Sequence, residues 1–309
     1  MAGRRDGAGA SGAATARRSP PTERVVQVLD HLVARPGRRF GLSELARELD
    51  LSKPTCLGIL TALTDAGYLI RDPIDKTYGL GPALIVAGRA AQRGFASGPV
   101  AHRHLTALSA EFGVMCTASA VVGDRIAILD VVGGTGSGAA ARVGEVYPFA
   151  PPVGLMYVLW DTDDRIDRWL GREPTLPVSV DRVRLKAVID ECRRTGYLVE
   201  SLTPGGRRPY ALMAGVVSHD LAPEMREMLA ELVSSPGERV VLPGTLGPDG
   251  THRVNLIAAP VFDPDGHQSL VLALHLEREV DRAEIERCGR ALVAAADAIT
   301  ADLGGRHAS

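Results

Sequence analysis

The stretch LSKPTCLGILTALTDAG at residues 51–67 decides how the first part of this chain folds. Ser52 belongs to the residue types that cap the beginning of a helix, and Pro54 falls in the first turn, where its missing N–H costs nothing. Gly67 ends the pattern in the left-handed conformation that glycine favours. The sequence therefore predicts a helix over residues 53–66. Its buried face is predicted from three apolar residues at helical spacing, Ile59, Leu60 and Leu63.

Two further helices are predicted before this stretch. The first begins at Thr22, which is a suitable N-cap, and ends before Pro36. The second covers residues 42–49, with Ser43 or the residue before it as its cap. Its buried face is predicted from Leu42, Leu45, Ala46 and Leu49.

After Gly67, two short β-prone runs surround a turn that is rich in proline and aspartate. The runs are residues 68–71 and 77–80, and the turn is DPIDK at 72–76. Such a pattern predicts a β-hairpin. The order helix, helix, turn, helix, hairpin is that of a winged helix-turn-helix domain, which we expect to cover residues 22–81.

A winged helix-turn-helix domain places its last helix in the DNA major groove and its wing beside the backbone. The charge supports this interpretation weakly, since residues 1–80 carry a net +3 and the rest of the chain a net −5. A helical bundle that packs against another protein is the alternative. The predicted DNA contacts are Arg38, Arg39, Ser43, Ser52, Lys53, Thr55, Leu57, Gly58, Thr61, Arg71 and Lys76.

Length and composition fit a two-domain globular protein. The chain has 309 residues, of which 45% are apolar. No apolar run reaches the roughly 18–20 residues of a membrane span, and no secretory signal precedes the first helix. The four cysteines are far apart in sequence, so neither a metal cluster nor a disulfide framework is expected. We therefore expect a cytoplasmic protein with no metal and no cofactor.

The rest of the chain predicts a tail, a linker and a second domain. Residues 1–21 read as a disordered arm, which either contacts DNA phosphates or is inert. Residues 82–97 predict an Ala-rich linker helix that could pack against a partner chain. Residues 98–304 alternate strand hairpins with helices, which favours an α+β domain on an antiparallel sheet. Within it we expect an extended piece that opens at 142–144, an apolar helix that runs through Trp160 and an amphipathic helix near 223–233. A Gly/Pro-rich stretch at about 201–250 is the hardest part to assign.

Several patterns that could indicate an enzyme are weak. The Gly-rich run at 133–138 follows a strand but precedes no helix of useful length, so a dinucleotide site is not expected. His102 and His104 face apart on a helix and do not form a metal pair. No GxSxG motif occurs. The sequence thus predicts that the chain is not an enzyme.

Seven short motifs together resemble the isocitrate-lyase-regulator (IclR) family of bacterial transcription factors. The resemblance covers about residues 22–200 and 252–303. Its motifs are RVVQVL at 24–29, LSELAR at 42–47, LSKPT at 51–55, AGYL at 66–69, YGLG at 78–81, RVG at 142–144 and IAAPVFDPDG at 257–266.

The resemblance implies a fold and a function. It implies a dimer or a dimer of dimers on palindromic double-stranded DNA, with a GAF-like second domain that binds a small organic acid or aromatic metabolite. Repressors and activators both occur, and we favour a repressor. Two alternatives remain open: an enzyme that works around the Gly-rich loop and His275, or a regulator that has lost effector sensing.

The sequence departs from the family pattern in three places. Leu57 and Gly58 replace a polar or aromatic residue followed by arginine in the reading helix, and the 201–250 stretch resembles an insertion. By resemblance, the effector contacts are Tyr147, Phe149, Gly154, Leu155, Glu200, Val254, Leu256, Ala273 and His275. Where small polar residues and a cysteine are usual, this chain has Leu256, Ala273 and His275. We therefore expect a bulkier or more apolar effector, with plain packing of these side chains as the alternative.

Overall fold

The computed structural model describes residues 19–35, 37–94, 97–134, 141–176, 179–201, 237, 239–246 and 250–306. The chain divides into two compact units between Gly88 and Arg89. None of the helices in the described ranges is long and apolar enough to cross a membrane.

The first unit has the predicted order of helices and strands. Its elements are α1 (Pro20–Val33), β1 (Phe40–Gly41), α2 (Leu42–Glu48), α3 (Lys53–Asp65), β2 (Leu69–Arg71) and β3 (Thr77–Leu80). The β2–β3 hairpin is confirmed, and it gains a strand that sequence reasoning missed. Phe40 pairs with Tyr78, so β1 joins the wing in a sheet of order β1-β3-β2.

One core holds these elements together. Each helix contributes side chains from one face, as the helical spacing predicted. The buried apolar residues are Val28, Leu32, Phe40, Leu45, Ala46, Cys56, Leu60, Leu63, Leu69 and Tyr78.

Two helix beginnings differ from the sequence prediction. Helix α1 begins at Pro20 rather than after Thr22, because a proline is tolerated in a first turn. Helix α2 is capped by Gly41 and not by Ser43. The Gly41 N–H donates to Glu44 Oε2 at 3.3 Å, so the carboxylate of the first turn satisfies the free backbone donor.

Within the described ranges, the second unit is built on one antiparallel sheet of seven strands, so the α+β class is confirmed. After α4 (Ala83–Gly94), which bridges the division, its strands run in the spatial order β6-β5-β4-β10-β9-β7-β8. The strands are β4 (Met115–Val122), β5 (Arg125–Val132), β6 (Val146–Pro148), β7 (Leu198–Ser201), β8 (Val240–Val241), β9 (Thr251–Phe262) and β10 (Gln268–Asp281). The helices are α5 (Ser97–Phe112), α6 (Asp163–Leu170), α7 (Arg182–Thr195) and α8 (Arg282–Asp302).

The two faces of this sheet carry separate cores. Helices α5 and α8 pack on one face, which we call the α8 face. Helices α6 and α7 and the segment 153–160 pack on the other, which we call the α7 face. Since side chains alternate along a strand, neighbouring residues supply opposite cores.

Three expectations for this unit were wrong or fall outside the described residues. The apolar run that ends at Trp160 forms only a single 3₁₀ turn, Leu155–Tyr157, because Gly154 before it has a left-handed backbone (φ +108°) and Val158 after it leaves the helical conformation (φ −133°). The extended piece expected at 142–144 is a turn at Gly144, and the strand follows at Val146. The helix expected near 223–233 lies outside the described residues.

Candidate functional site

Helix α3 has the cap that its sequence indicates. The Ser52 hydroxyl accepts a hydrogen bond from the Thr55 N–H at 3.3 Å, and Pro54 occupies the first turn. Gly67 follows the helix with φ +75°. Cys56, Leu60 and Leu63 are buried, with Ile59 partly buried beside them. The opposite side of α3 therefore faces solvent.

That exposed side contains most of the expected DNA-reading residues. Ser52, Lys53, Leu57, Gly58 and Thr61 are all exposed, and Leu57 keeps 44% of its surface accessible. A Cβ built on Gly58 would meet no heavy atom within 4 Å. An apolar patch beside a bare stretch of backbone can approach the edges of bases, including a thymine methyl group.

Thr55 differs from its neighbours on α3. It is half-buried, and its Oγ1 shares a 2.8 Å hydrogen bond with Ser52 Oγ. The side chain therefore supports the helix cap. Ser43, on α2, is exposed.

The arginines before α2 lie in surface ion pairs. Arg38 contacts Glu44 at 2.7 Å and covers the Phe40 ring, while Arg39 contacts Asp72 at 3.2 Å. Both guanidinium groups are accessible, but each has a carboxylate beside it. A DNA phosphate would have to compete with these carboxylates.

The wing turn is organised by Asp72. Its Oδ1 accepts hydrogen bonds from the N–H groups of Ile74 and Asp75, which hold the pKa of this carboxyl below its usual value. Arg71 lies over the Tyr78 ring, and the Lys76 ammonium contacts the Pro73 carbonyl. Arg71 and Lys76 are exposed, as an approach to DNA requires.

The second unit brings most of the expected effector residues to the α7 face. Tyr147, Phe149, Leu155, Leu256 and Ala273 all belong to its core. Glu200 lies beside Leu256 in the sheet, and so does His275.

Gly154 lies next to this core. A Cβ there would come within 2.6 Å of the Phe149 ring. Glycine is therefore required for the approach of this backbone to the ring.

Val254 is the exception, and its assignment to the same pocket was wrong. It belongs to the core on the α8 face. Leu256 pairs with Glu200 on β7 and His275 on β10, whereas Val254 pairs with Ser201 and Arg278. Between these two sets of pairs, β9 therefore advances by two residues, β7 by one and β10 by three. This irregularity at Asn255 breaks the alternation that would otherwise put Val254 on the same face as Leu256.

Polar side chains on the α7 face form two pairs that sequence reasoning missed. Thr117 Oγ1 and His275 Nε2 are 3.0 Å apart, and Ser119 shares a 2.7 Å hydrogen bond with the Tyr157 hydroxyl. Burial raises the pKa of Tyr157, so the phenol stays protonated. Thr117 and Ser119 are two residues apart on β4, so strand alternation could have predicted that they lie on the same face. No local sequence pattern indicated their partners, His275 and Tyr157.

A buried ion pair joins Glu200 on β7 to Arg239, the residue just before β8. Arg239 Nη2 donates to Glu200 Oε1 at 2.6 Å, and the two side chains are only 15% and 9% exposed. Both Glu200 Oε2 and Arg239 Nη1 are buried, and neither has a hydrogen-bond partner among the described residues. The pair therefore offers one acceptor and one donor, which the polar group of a bound molecule would satisfy. Arg239 comes from the 201–250 stretch, whose role the sequence left open.

The four cysteines are free and buried. Burial raises the pKa of the Cys116 and Cys192 thiols to about 12. These thiols stay protonated at neutral pH and act as small apolar side chains.

Comparisons with known proteins agree with this geometry. Residues 21–73 match the IclR helix-turn-helix domain. The glycerol operon regulatory protein of Streptomyces griseus is 38% identical over 73 residues, which span 24% of this chain and only 28% of that protein.

Solved structures extend the likeness to the whole fold. The IclR transcriptional regulator from Alicyclobacillus acidocaldarius aligns with a TM-score of 0.63 at 22% identity, over 93% of this chain and all of that one. An IclR homolog from Microbacterium hydrocarbonoxydans, complexed with 4-hydroxybenzoate, aligns with a TM-score of 0.56 at 20% identity, over 92% and 98% of the two chains. The Streptomyces and Alicyclobacillus proteins are named as regulators, in agreement with the prediction that this chain is not an enzyme. Residues 21–73 thus match an IclR helix-turn-helix domain, and the fold of the chain is similar to that of solved IclR regulators.

Proposed function

We propose that this protein is a cytoplasmic, sequence-specific DNA-binding transcription regulator, and more specifically a repressor, whose DNA affinity changes when a small organic molecule binds its second unit. The observation that carries the DNA-binding part is helix α3. It buries Cys56, Leu60 and Leu63 and leaves Lys53, Leu57 and Thr61 exposed. A helix presented in this way can enter a major groove.

The protein acts in this proposal as a homodimer, or a dimer of dimers, on a palindromic operator. Its support is apolar surface on two helices of the first unit. Val26 and Val33 on α1 are about half exposed, and Ile85 and Val86 on α4 are more than 60% exposed. Burying such side chains between two chains is favourable, and a two-fold dimer reads a site with matching symmetry.

The association is tested by sedimentation of the full chain. We expect Ile85→Glu to shift the wild-type oligomer toward monomer. Val183→Glu is a matched control, because Val183 is 83% exposed on α7 in the other unit. Identical sedimentation of wild type and Ile85→Glu would contradict the assignment of α4 to the interface.

The effector lies on the α7 face in this proposal. Buried apolar side chains there, such as Leu198, Leu256 and Val240, adjoin the Glu200–Arg239 pair, whose spare acceptor and donor would suit a polar end group of a ligand. The solved homolog from Microbacterium is complexed with 4-hydroxybenzoate, an aromatic acid with a polar group at each end of its ring. We propose an aromatic or similarly bulky organic acid for this chain.

DNA binding is tested first, by footprinting the DNA upstream of the protein's own gene at two salt concentrations. We expect a symmetric, salt-sensitive footprint. Lys53→Ala should weaken it and should reduce the slope of log binding constant against log salt concentration by about one, because one phosphate contact is lost. Lys186→Ala is the control, since Lys186 is exposed in the other unit. Thr55 is left intact because its substitution would also damage the helix cap.

No footprint there, and no enrichment when random-sequence DNA is selected on the protein, would contradict the DNA-binding proposal. The effector is then tested by titrating 4-hydroxybenzoate into the wild type and into Glu200→Gln. We expect binding to the wild type, weaker binding to the variant, and loss of the footprint on saturation. If neither this acid nor other aromatic acids bind, the proposed ligand class is wrong.

A further inference from the structure

A cleft opens in the second unit beside α6. It lies at the ends of β4 and β10 that are distant from His275. Its volume is about 400 Å³, within the range of sites for small molecules. It shares only Phe149 with the residues expected to contact the effector. It is lined by Val121, Gly123, Phe149, Tyr157, Val158, Arg165, Arg168, Trp169, Arg172, Gln268, Ser269 and Leu270.

Three arginines line this cleft, and no aspartate or glutamate is among its lining residues. Arg165 and Arg168 are one turn apart on α6, and Arg172 follows one turn later, just beyond the end of the helix. The spacing places the three side chains on one side of this segment. A concentration of positive charge in a concave wall attracts anions.

Most of the donors of these arginines remain available. Arg165 contacts Asp161 at 2.6 Å, Arg168 Nε donates to the Asp164 carbonyl at 3.2 Å, and Arg172 Nη1 donates to the Phe149 carbonyl at 3.0 Å. Each guanidinium has five N–H groups, so only a small part of its donors contacts the described residues. Asp161 neutralises one of the three charges, and it also has His267 at 3.7 Å.

The wall of the cleft holds Arg172 in place. This guanidinium lies 4.6 Å from the centre of the Phe149 ring, and Trp169, which also lines the cleft, is buried. A guanidinium fixed by stacking loses little entropy when it binds an anion.

The same wall contains an unsatisfied acceptor. Gln268 Nε2 donates to the Met156 carbonyl at 2.7 Å, whereas Gln268 Oε1 is buried and accepts no hydrogen bond from any residue that the structure describes. A buried acceptor without a donor costs free energy, which a donor on a bound molecule would recover. The cleft therefore offers donors for an oxyanion and one acceptor for a hydroxyl group.

We propose that this arginine cleft binds a small hydroxylated anion, a carboxylate or a phosphate, at a site separate from the effector site. The anion is held by Arg165, Arg168 and Arg172 through charge-assisted hydrogen bonds, and its hydroxyl group donates to Gln268 Oε1. The site would give the protein a second small-molecule input besides the effector.

The test is calorimetric titration of the full chain at constant ionic strength in chloride buffer. The probes are malate, succinate, which lacks only the hydroxyl group, and inorganic phosphate. We expect malate or phosphate to bind with one site per chain, and Arg168→Gln to weaken that binding at least tenfold. Arg168 is chosen because it is exposed, and Arg290→Gln on α8 is the control because that arginine is 71% exposed outside the cleft.

Malate and phosphate distinguish the two kinds of anion that the arginines could bind, a carboxylate and a phosphate. Binding of malate alone identifies a carboxylate ligand, and binding of phosphate alone identifies a phosphorylated one. Equal affinity for malate and succinate would overturn the contact with Gln268. No binding of any probe to the wild type, or binding that Arg168→Gln leaves unchanged, would overturn the site. The titration contains neither DNA nor effector, so its outcome is independent of the proposed regulation.

Discussion

Arg239 and Glu200 form a 2.6 Å hydrogen bond between Nη2 and Oε1, and each keeps a second buried atom that has no hydrogen-bond partner in the part of the chain that the structure describes. Removing one partner leaves the other charge buried alone. We therefore expect Arg239→Met and Glu200→Met each to lower the free energy of unfolding by about 3 kcal/mol. The double variant should lose less than either single one, because two apolar side chains replace the pair. Denaturant unfolding of all four proteins measures the coupling, and additive losses would show that the pair does not act as a unit.

Gly154 is required by its surroundings as well as by its backbone. Gly154→Ala puts a Cβ into the Phe149 ring and keeps φ at +108°, so we expect it to cost more than the roughly 1–3 kcal/mol of backbone strain alone. Gly144→Ala is the matched control, since Gly144 also has positive φ but has no heavy atom within 4 Å of a built Cβ. Equal melting temperatures for the two variants would argue that the ring contact is unimportant.

Gly58 weakens the helix that is proposed to read DNA. Because a Cβ there meets nothing, Gly58→Ala should stabilise the first unit by up to about 1 kcal/mol through helix propensity alone. Thermal unfolding of the full chain measures this change. A lower stability would mean that position 58 makes a contact which the isolated chain does not reveal.

An arginine at the same position should change DNA binding instead. Gly58→Arg adds a cation to the exposed side of α3, so we expect tighter binding and a steeper salt dependence, by about one unit of slope. Competition titrations at several salt concentrations provide the measurement. Arg182→Gln, in the other unit, should leave the slope unchanged, and an unchanged slope in Gly58→Arg would place residue 58 away from the DNA.

His31 makes the first unit sensitive to acid. Burial, followed by the charge of Arg35, lowers the pKa of His31, and Glu48 at 3.0 Å opposes the shift without an aligned hydrogen bond. The unfolded chain then binds a proton more readily than the folded one. Stability should be constant above about pH 6.5 and fall below it, by at most about 1.4 kcal/mol per pH unit from this group.

Thermal unfolding at pH 7.5 and pH 5.5 tests the role of His31. We expect the wild type to lose more stability between these pH values than His31→Gln does, since the other histidines are common to both proteins. Equal losses would assign the acid sensitivity to other groups.

By itself, the sequence determined the first unit almost completely. Ser52, Pro54 and Gly67 act through their own backbone and immediate neighbours, so the bounds of α3 follow from local chemistry. The spacing of Leu60 and Leu63 likewise predicts which side of the helix is buried. Besides the beginning of α1 and the cap of α2, the short pairing of β1 with β3 was missed, because two residues carry too little pattern to indicate a strand.

The site in the second unit depended on contacts between distant parts of the chain. The partner of Glu200 is Arg239, 39 residues later, and the partner of Ser119 is Tyr157. The bulge at Asn255 moved Val254 to the other face, although simple alternation placed it beside Leu256. Alternation fixes a face only while the register holds, and register is decided by neighbouring strands. For this reason the tertiary structure alone decided which side chains share the α7 face.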